Sequence, residues 1–125
     1  MKLHDYEIEE EVLGILIGNK ELKALIGDKI TPVYIGKETE GDAVYYDSEL
    51  ADPETCKMGN VTSIMHYYAC AVSDKMDNAN KIIGIIQDLL EGEFTNPYMR
   101  IRAVGTMKEG ENFKYAKTME FIIEW

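Results

Sequence analysis

Apolar residues near the N-terminus recur every three or four positions, which is the period of an amphipathic helix. They are Ile8, Val12, Leu13, Ile15 and Leu16. Asp5 precedes them as a candidate N-cap, and the glutamates of the first turns favour the positive end of the helix dipole. Gly18-Asn19 interrupts this pattern, and a shorter helical segment then ends at Gly27. Residues 5–27 therefore predict a bent α-hairpin rather than one long helix.

After Gly27 the pattern changes to that of β-strands. Residues 29–35 predict a short or edge strand, because Pro32 cannot donate a hydrogen bond to a ladder, and residues 43–50 predict a second strand. Residues 61–73 are rich in Val, Ile, Thr and Tyr and are largely apolar on both faces. This third strand should therefore be central, and each of its faces should be covered by a helix or by another subunit.

The clearest helix is predicted at residues 74–91, where apolar positions keep the three-four spacing until Gly92. A final hairpin follows, with strands at residues 98–107 and 113–125 and a turn at residues 109–112. The second of these strands alternates apolar and polar residues, so one of its faces should lie in the core and the other in water.

Two arginines of this hairpin, Arg100 and Arg102, share the polar face of their strand. A turn centred on Glu111 would place Arg102 opposite Glu120. We expect the arginines to pair with Glu120 and Glu124 rather than to form an anion site.

The predicted order of elements, α-α-β-β-β-α-β-β, indicates an α+β fold. We expect a mostly antiparallel sheet of four or five strands, with the N-terminal α-hairpin and one long amphipathic helix packed on it. The chain has 125 residues and no internal repeat, and it is expected to form a single domain over residues 1–125. A chain of this length buries enough surface for a core without disulfides or metal ions.

Acidic residues outnumber basic ones, with 23 Asp and Glu against 13 Lys and Arg and a net charge of −10. A chain of this charge should repel both duplex DNA and anionic membrane surfaces. No apolar run approaches the roughly 20 residues of a membrane span, and the start of the chain lacks the pattern of a secretory signal. We therefore expect no sequence-specific nucleic-acid partner, no membrane association, and a protein that stays where it is made.

Few residues suggest chemistry. The histidines, His4 and His66, are far apart, and the cysteines, Cys56 and Cys70, lack the spacing of a metal or redox site. Neither a nucleophile elbow nor a glycine-rich phosphate loop is present in the sequence. We predict no catalytic, cofactor-binding or metal-binding residues and no cofactor. His66 is interpreted as a structural or interface histidine, and Cys70 as a buried, unreactive thiol.

Tyrosines are concentrated in the predicted strands. Their rings bury a large area while the hydroxyl keeps a polar partner, so they are enriched in subunit interfaces as well as in cores. Adjacent tyrosines on a strand must face opposite sides, and one small domain has little material to cover both. A partner subunit would supply that cover. The predicted interface residues are Tyr45, Tyr46, Tyr67, Tyr68 and Tyr98.

One stretch has a distinctive order: a leucine-spaced helical turn ends in Gly27-Asp28-Lys29-Ile30 and is followed by Thr31-Pro32. It resembles the opening of small bacteriophage tail-completion (tail-terminator) proteins, a family of minor tail and head-tail joining proteins. Val44-Tyr45-Tyr46 resembles the next strand of that family, although the family often has a proline before it and this chain has Asp42-Ala43. The later strands and helix also follow the order of the family, so the resemblance spans nearly the whole chain.

The resemblance implies a structural role without catalysis. Proteins of this family form a ring, usually a hexamer, that closes the end of the tail tube and provides the surface to which the head binds. The implied partners are further copies of the chain, the tail tube and head-completion proteins. The implied location is the virion tail, after assembly in the host cytoplasm. Residues 36–42 and 51–60 correspond to loops that become ordered on assembly in related rings.

Other interpretations stay open at the level of sequence. The chain is alternatively another virion or neck component of similar α+β design, an unrelated interaction domain, or a small ligand-binding or enzymatic domain with a pocket near His66. Replacing His66 with Ala should leave a ring intact but should abolish binding or activity at such a pocket. Changing Tyr46 or Tyr68 to Glu should instead disrupt a ring, because charge would be desolvated at its interface.

Overall fold

Three helices and one six-stranded sheet make up the part of the chain that a computed structural model describes, namely residues 3–32, 41–51, 63–111 and 114–125. The helices are α1 (Asp5–Ile17), α2 (Lys20–Ile26) and α3 (Met76–Leu90). The strands are β1 (Ile30–Pro32), β2 (Ala43–Leu50), β3 (Ile64–Ser73), β4 (Gly92–Thr95), β5 (Tyr98–Glu111) and β6 (Lys114–Glu124). The α+β class is confirmed. Most of the predicted loops at residues 36–42 and 51–60 lies outside the described residues.

The strands are arranged in the order β1-β2-β3-β6-β5-β4. β1 and β2 are parallel, and every other neighbouring pair is antiparallel. β3 lies in the interior of the sheet, as its apolar character predicted. The expectation of four or five strands was too low, because β4 pairs with β5 as a sixth strand. A segment of four residues is too short to show a strand period, so only its pairing with β5 identifies it.

Local hydrogen bonds set the ends of the helices. α1 begins one residue earlier than Asp5 suggested, because His4 is the N-cap and its backbone N–H donates to the Glu7 side chain at 3.0 Å. In α2, the Asn19 side chain accepts from the Leu22 N–H at 2.8 Å, and the helix ends at Gly27 with φ of 64°. The predicted break between the two N-terminal helices is therefore present, and Asn19 is an N-cap that satisfies an otherwise unpaired donor.

The core lies on one face of the sheet, beneath the helices. α3 packs across β3 and β6, and both α1 and α2 contact α3. Residues of β3 alternate between fully buried and half-buried, which separates the helix-covered face from the opposite one. The buried side chains of the sheet and of α3 include Met65, Tyr67, Phe121, Ile123, Ile82, Ile83 and Ile86. Within the described residues, none of the three helices has the length and apolar character needed to span a membrane.

The β5–β6 hairpin has a different register from the one predicted. Arg102 lies opposite Ile122, and Glu120 lies opposite Gly105, so Arg102 and Glu120 are not cross-strand partners. The register shifts at Val104, which lies between two consecutive pairs of the ladder. Glu111 still pairs with Lys114, so the hairpin turns later than expected. The later turn is the main reason that the predicted pairing was wrong, because it moves every pair of the hairpin, and the extra residue at Val104 only partly offsets that shift.

Candidate interaction surface

The second face of the sheet carries no helix in the described part of the chain, and we call it the open face. It consists of the side chains that alternate with the buried ones. β2 and β3 contribute Tyr45, Asp47, Glu49, Ile64, His66, Tyr68 and Cys70, and β6 and β5 contribute Thr118, Glu120, Ile122, Glu124, Arg100, Arg102 and Met107. None of these side chains is fully buried. Within the described residues, helices therefore cover one face of β3, and cover of the other face by another subunit stays a prediction.

Three shallow depressions meet at Tyr68 on the open face. The largest, of about 610 Å³, extends from Tyr68 past His66 to Glu49 and Arg102. A second, of about 420 Å³, lies between Tyr68, Tyr45 and Cys70, and a third, of about 220 Å³, lies between Tyr68 and Met107. Tyr68 lines all three, so the three depressions adjoin its side chain.

Carboxylates surround the hydroxyl of Tyr68. Partial desolvation raises the pKa of this phenol above its usual value, and the charges of Glu120, Glu49 and Asp47 raise it further. Asp47 and Glu49 come from β2, whereas Glu120 reaches the same area from β6. The half of the open face around Tyr68 and β2 is therefore electronegative, and Tyr68 stays neutral there.

His66 makes a short polar contact on the open face. Its Nδ1 lies 2.7 Å from Oε2 of Glu120, and the two side chains are 36% and 33% exposed. The pair is diagonal, because His66 lies opposite Ile122 and Glu120 lies opposite Tyr68 in the ladder. Within the described residues, no group of three or more His, Cys, Asp or Glu is placed to hold a metal ion. His66 and Glu120 are therefore an ion pair or hydrogen-bonded pair at a partly solvent-exposed surface.

The structure does not bring the five predicted interface tyrosines together. Tyr45 and Tyr68 are half-buried on the open face, and Tyr98 is 55% exposed at the start of β5. Tyr46 points to the helix side, where its ring stacks on Tyr67 at 6.1 Å between centroids. Tyr67 is 0% exposed, so its ring belongs to the core of the subunit and offers no surface to a neighbour. Whether the other four contact another subunit stays a prediction.

A polar cluster beneath the helices was not predicted. Ser48 of β2 donates a hydrogen bond of 2.6 Å to Glu9 of α1. Nearby, burial raises the pKa of Tyr67 far above its usual value, with smaller contributions from Tyr46 and Glu9. In the sequence, Glu9 is one of several successive glutamates and looks like part of a solvated helix face. Only the packing of α1 near β2 shows that Glu9, unlike the neighbouring glutamates, accepts a hydrogen bond from the sheet.

The prediction for Cys70 is correct for its strand but not for its burial. Cys70 lies in β3, as expected, but its side chain points to the open face and is half-buried rather than enclosed. Cys56 lies outside the described residues. Arg100 and Arg102 do share one face, and Arg100 lies directly opposite Glu124 in the ladder. Neither arginine makes an ion pair with another described residue, so the predicted pairing with Glu120 and Glu124 is not observed.

No protein-family model matches the chain, and no curated protein is significantly similar to it. Among solved structures, the chain is similar to one from the "Virion of native gene transfer agent (GTA) particle". The two share a TM-score of 0.64 and 16% sequence identity, and the similarity covers 90% of each chain. At this level of identity the comparison shows a common fold that extends over nearly the whole of both chains.

Proposed function

We propose that this chain is a non-enzymatic structural component of a phage-like particle. The observation that carries this proposal is the shared fold with a chain of a gene transfer agent virion, at a TM-score of 0.64 over 90% of both chains. A fold can host many functions, but a match that covers 90% of both chains favours a similar role. The open face, which has no cover within the described residues, also suits a protein that works in an assembly.

The more specific role that we propose is that of a tail-completion subunit. Copies of the chain would form a ring of six that ends the tail tube and joins it to the head. The stretch Gly27-Asp28-Lys29-Ile30 and the order of elements support this assignment. The partners would be the tail tube and head-completion proteins, and the site of action would be the virion tail, with assembly in the host cytoplasm.

The first experiment is to measure the absolute mass in solution by light scattering over a range of protein and salt concentrations. Rings should give a shift from 14.2 kDa toward a six-fold multiple as the concentration rises. Negative-stain electron microscopy of the largest species should show closed rings with a central hole. A strict monomer at every concentration would argue against self-assembly and would favour the alternative below.

The alternative is a small ligand-binding or enzymatic domain with a pocket near His66. One observation favours it: His66 and Glu120, 2.7 Å apart, adjoin the 610 Å³ depression of the open face. In this case His66→Ala should abolish ligand binding or activity, whereas His4→Ala, a change at an exposed histidine, should not. For a ring subunit, His66→Ala should leave the mass distribution unchanged, because a partly exposed pair contributes at most about 1 kcal/mol to stability.

A further inference from the structure

β5 is longer than the strand that borders it. It spans 14 residues, Tyr98–Glu111, whereas β4 pairs only with Tyr98–Ile101. β6 pairs along the other side of β5 as far as Glu111. Among the strands that the structure describes, none therefore pairs with the outer side of β5 beyond Ile101. We call residues 102–111 the free edge of β5.

The free edge offers both hydrogen-bond donors and apolar surface. The backbone N–H of Ala103 points outward and donates to Oε2 of Glu91 at 3.1 Å, so a side chain covers the start of the edge. Further along, Val104 is 50% exposed and Met107 is 62% exposed. An uncovered strand edge with exposed apolar side chains is a template for a further strand.

The outer strand on the other border of the sheet, β1, lies at a different height from β4. β1 pairs only with Val44–Tyr46, at the start of β2. Two rows of ladder partners run from β1 across the sheet to the free edge of β5. They are Ile30, Val44, Ala71, Lys117 and Lys108, and Pro32, Tyr46, Ala69, Met119 and Thr106. β1 thus lies level with residues 106–108 of β5, whereas β4 lies level with residues 98–101.

We propose that β1 of one copy pairs with the free edge of β5 in the next copy, with Thr31 opposite Met107. β1 is parallel to β2, and the strands β2, β3, β6 and β5 alternate in direction, so β1 and β5 are antiparallel to each other. The incoming β1 and the resident β4 would occupy the same column of the sheet at different heights. β4 therefore does not block the free edge, and it would lie level with the end of β2 in the other copy.

The backbone of β1 indicates why its partner is a different edge and not a second β1. The Val44 N–H donates to the Lys29 carbonyl at 2.9 Å, so Ile30 and Pro32 direct their backbone groups away from β2. The Ile30 N–H donates to the Asp28 carbonyl at 2.9 Å, and proline has no N–H. The outer side of β1 thus presents carbonyl oxygens, and two such edges cannot bond to each other. The free edge of β5 supplies the N–H donors that these carbonyls need.

Two different surfaces meet in this contact, so it repeats from copy to copy. Because β1 and its partner stretch of β5 are at the same height in the sheet, a rotation about an axis along the strands brings them together. Such heterologous contacts close into a ring when the rotation allows it. The inference deepens the proposed function and rests on it for the ring, although the contact itself is tested separately.

Disulfide cross-linking tests the contact through Thr31→Cys and Met107→Cys, at positions that would lie opposite each other across the boundary. Within one chain, four strand spacings, about 19 Å, separate these positions, which exceeds the roughly 7 Å that a disulfide spans. With Cys56 and Cys70 replaced by serine, T31C/M107C oxidised by copper phenanthroline should give a ladder of covalent multimers. T31C/K81C is the matched control, because Lys81 is exposed on α3, outside the sheet.

A 1:1 mixture of the single variants T31C and M107C should give covalent dimers that contain one copy of each. Without cross-linking, Met107→Glu should weaken self-association by at least about tenfold, because it desolvates a carboxylate at the boundary. Lys81→Glu introduces the same side chain on α3 and should leave association unchanged. Sedimentation velocity gives the masses, and circular dichroism checks that each variant is folded.

Cross-linking of T31C/M107C that does not exceed that of T31C/K81C would overturn the inference. A wild-type chain that remains monomeric up to its solubility limit would also overturn it. Rings that form without this cross-link would retain the proposed function and remove only this contact. Cross-linked chains that never close into a ring would do the reverse.

Discussion

The hydroxyl of Tyr67 is a polar group in the core of the subunit. It is buried and has no hydrogen-bond partner in the described part of the chain. Its ring lies between those of Tyr46 and Phe121, with centroid distances of 6.1 and 6.5 Å. Burial, and then the neighbours Tyr46 and Glu9, raise the pKa of Tyr67 above the ordinary value of 10.0. The folded protein therefore keeps this phenol protonated at pH values where the unfolded chain would release the proton.

Tyr67→Phe should be neutral or stabilising at pH 7, by up to about 1 kcal/mol, because it removes a buried hydroxyl without a partner. A raised pKa in the folded state gives stability that is complete below pH 10 and decreases as the pH rises above it, since only the unfolded chain ionises there. Urea unfolding at pH 7 and pH 11 measures both effects.

The wild type should lose more stability between these pH values than Tyr67→Phe. Tyr98→Phe is the control, because it removes the hydroxyl of a tyrosine that is exposed rather than buried. An equal loss in wild type and Tyr67→Phe would show that the hydroxyl of Tyr67 ionises normally in the folded protein.

At the scale of single elements, the end of α2 depends on the backbone conformation of its C-cap residue, Gly27. Gly27 has φ of 64°, a backbone conformation that side chains with a Cβ rarely adopt. An added Cβ there would meet no atom within 4 Å, so the backbone conformation is the only penalty. Gly84, in the exposed surface of α3, has equal space around it but an ordinary helical backbone.

These two glycines give a matched pair of variants with opposite expected signs. Gly27→Ala should lower the free energy of unfolding by about 1–3 kcal/mol, because φ of 64° with ψ of −126° is a backbone conformation that residues with a Cβ sparsely populate. Gly84→Ala should raise it by about 0.5–1 kcal/mol, because alanine is the better helix former. Urea denaturation followed by circular dichroism measures both. A neutral Gly27→Ala would contradict the conformation assigned to the end of α2.

For the hairpin of β5 and β6, the sequence predicts the strands and their buried faces but not the register between them. Both strands and their apolar and polar faces follow from the alternation of residues, and Phe121 and Ile123 are buried as that alternation requires. The partner of Arg102 does not follow, because the register depends on Val104 and on where the chain turns. The two-residue period identifies which face of a strand is buried. The cross-strand partners also depend on the position of the turn and of the extra residue, Val104.

On the scale of the whole molecule, Trp125 forms hydrogen bonds that join the end of the last strand to the segment before α1. The indole N–H of Trp125 donates to the carbonyl of Leu3 at 2.7 Å. The backbone of Trp125 also exchanges two hydrogen bonds with Ser63, at 2.9 and 3.0 Å. Trp125→Phe keeps the ring contact but removes the indole donor, so it should cost about 0.5–1.5 kcal/mol. Thermal unfolding by circular dichroism tests this, with the exposed Tyr115→Phe as the control expected to stay at the wild-type midpoint.

The net charge of −10 leads to a second expectation for the whole molecule. Fluorescence anisotropy with a labelled duplex should detect no binding at physiological salt, because the excess of carboxylates repels the phosphates. If DNA passes through the proposed ring, the same repulsion would let it slide without adhering. Micromolar affinity for the duplex would contradict both statements.

The sequence by itself determined the helices, most of the strands and the faces they bury, because these follow from periodicities within short segments. It also determined that β3 is central, since an apolar pattern on both faces has few other solutions. Only the tertiary structure decided that Tyr67 lies near Glu9, that Gly92–Thr95 forms a strand, and that Arg102 lies opposite Ile122 rather than Glu120. Those features join residues far apart in the chain, and their relative positions depend on strand register and helix packing, which no local pattern specifies.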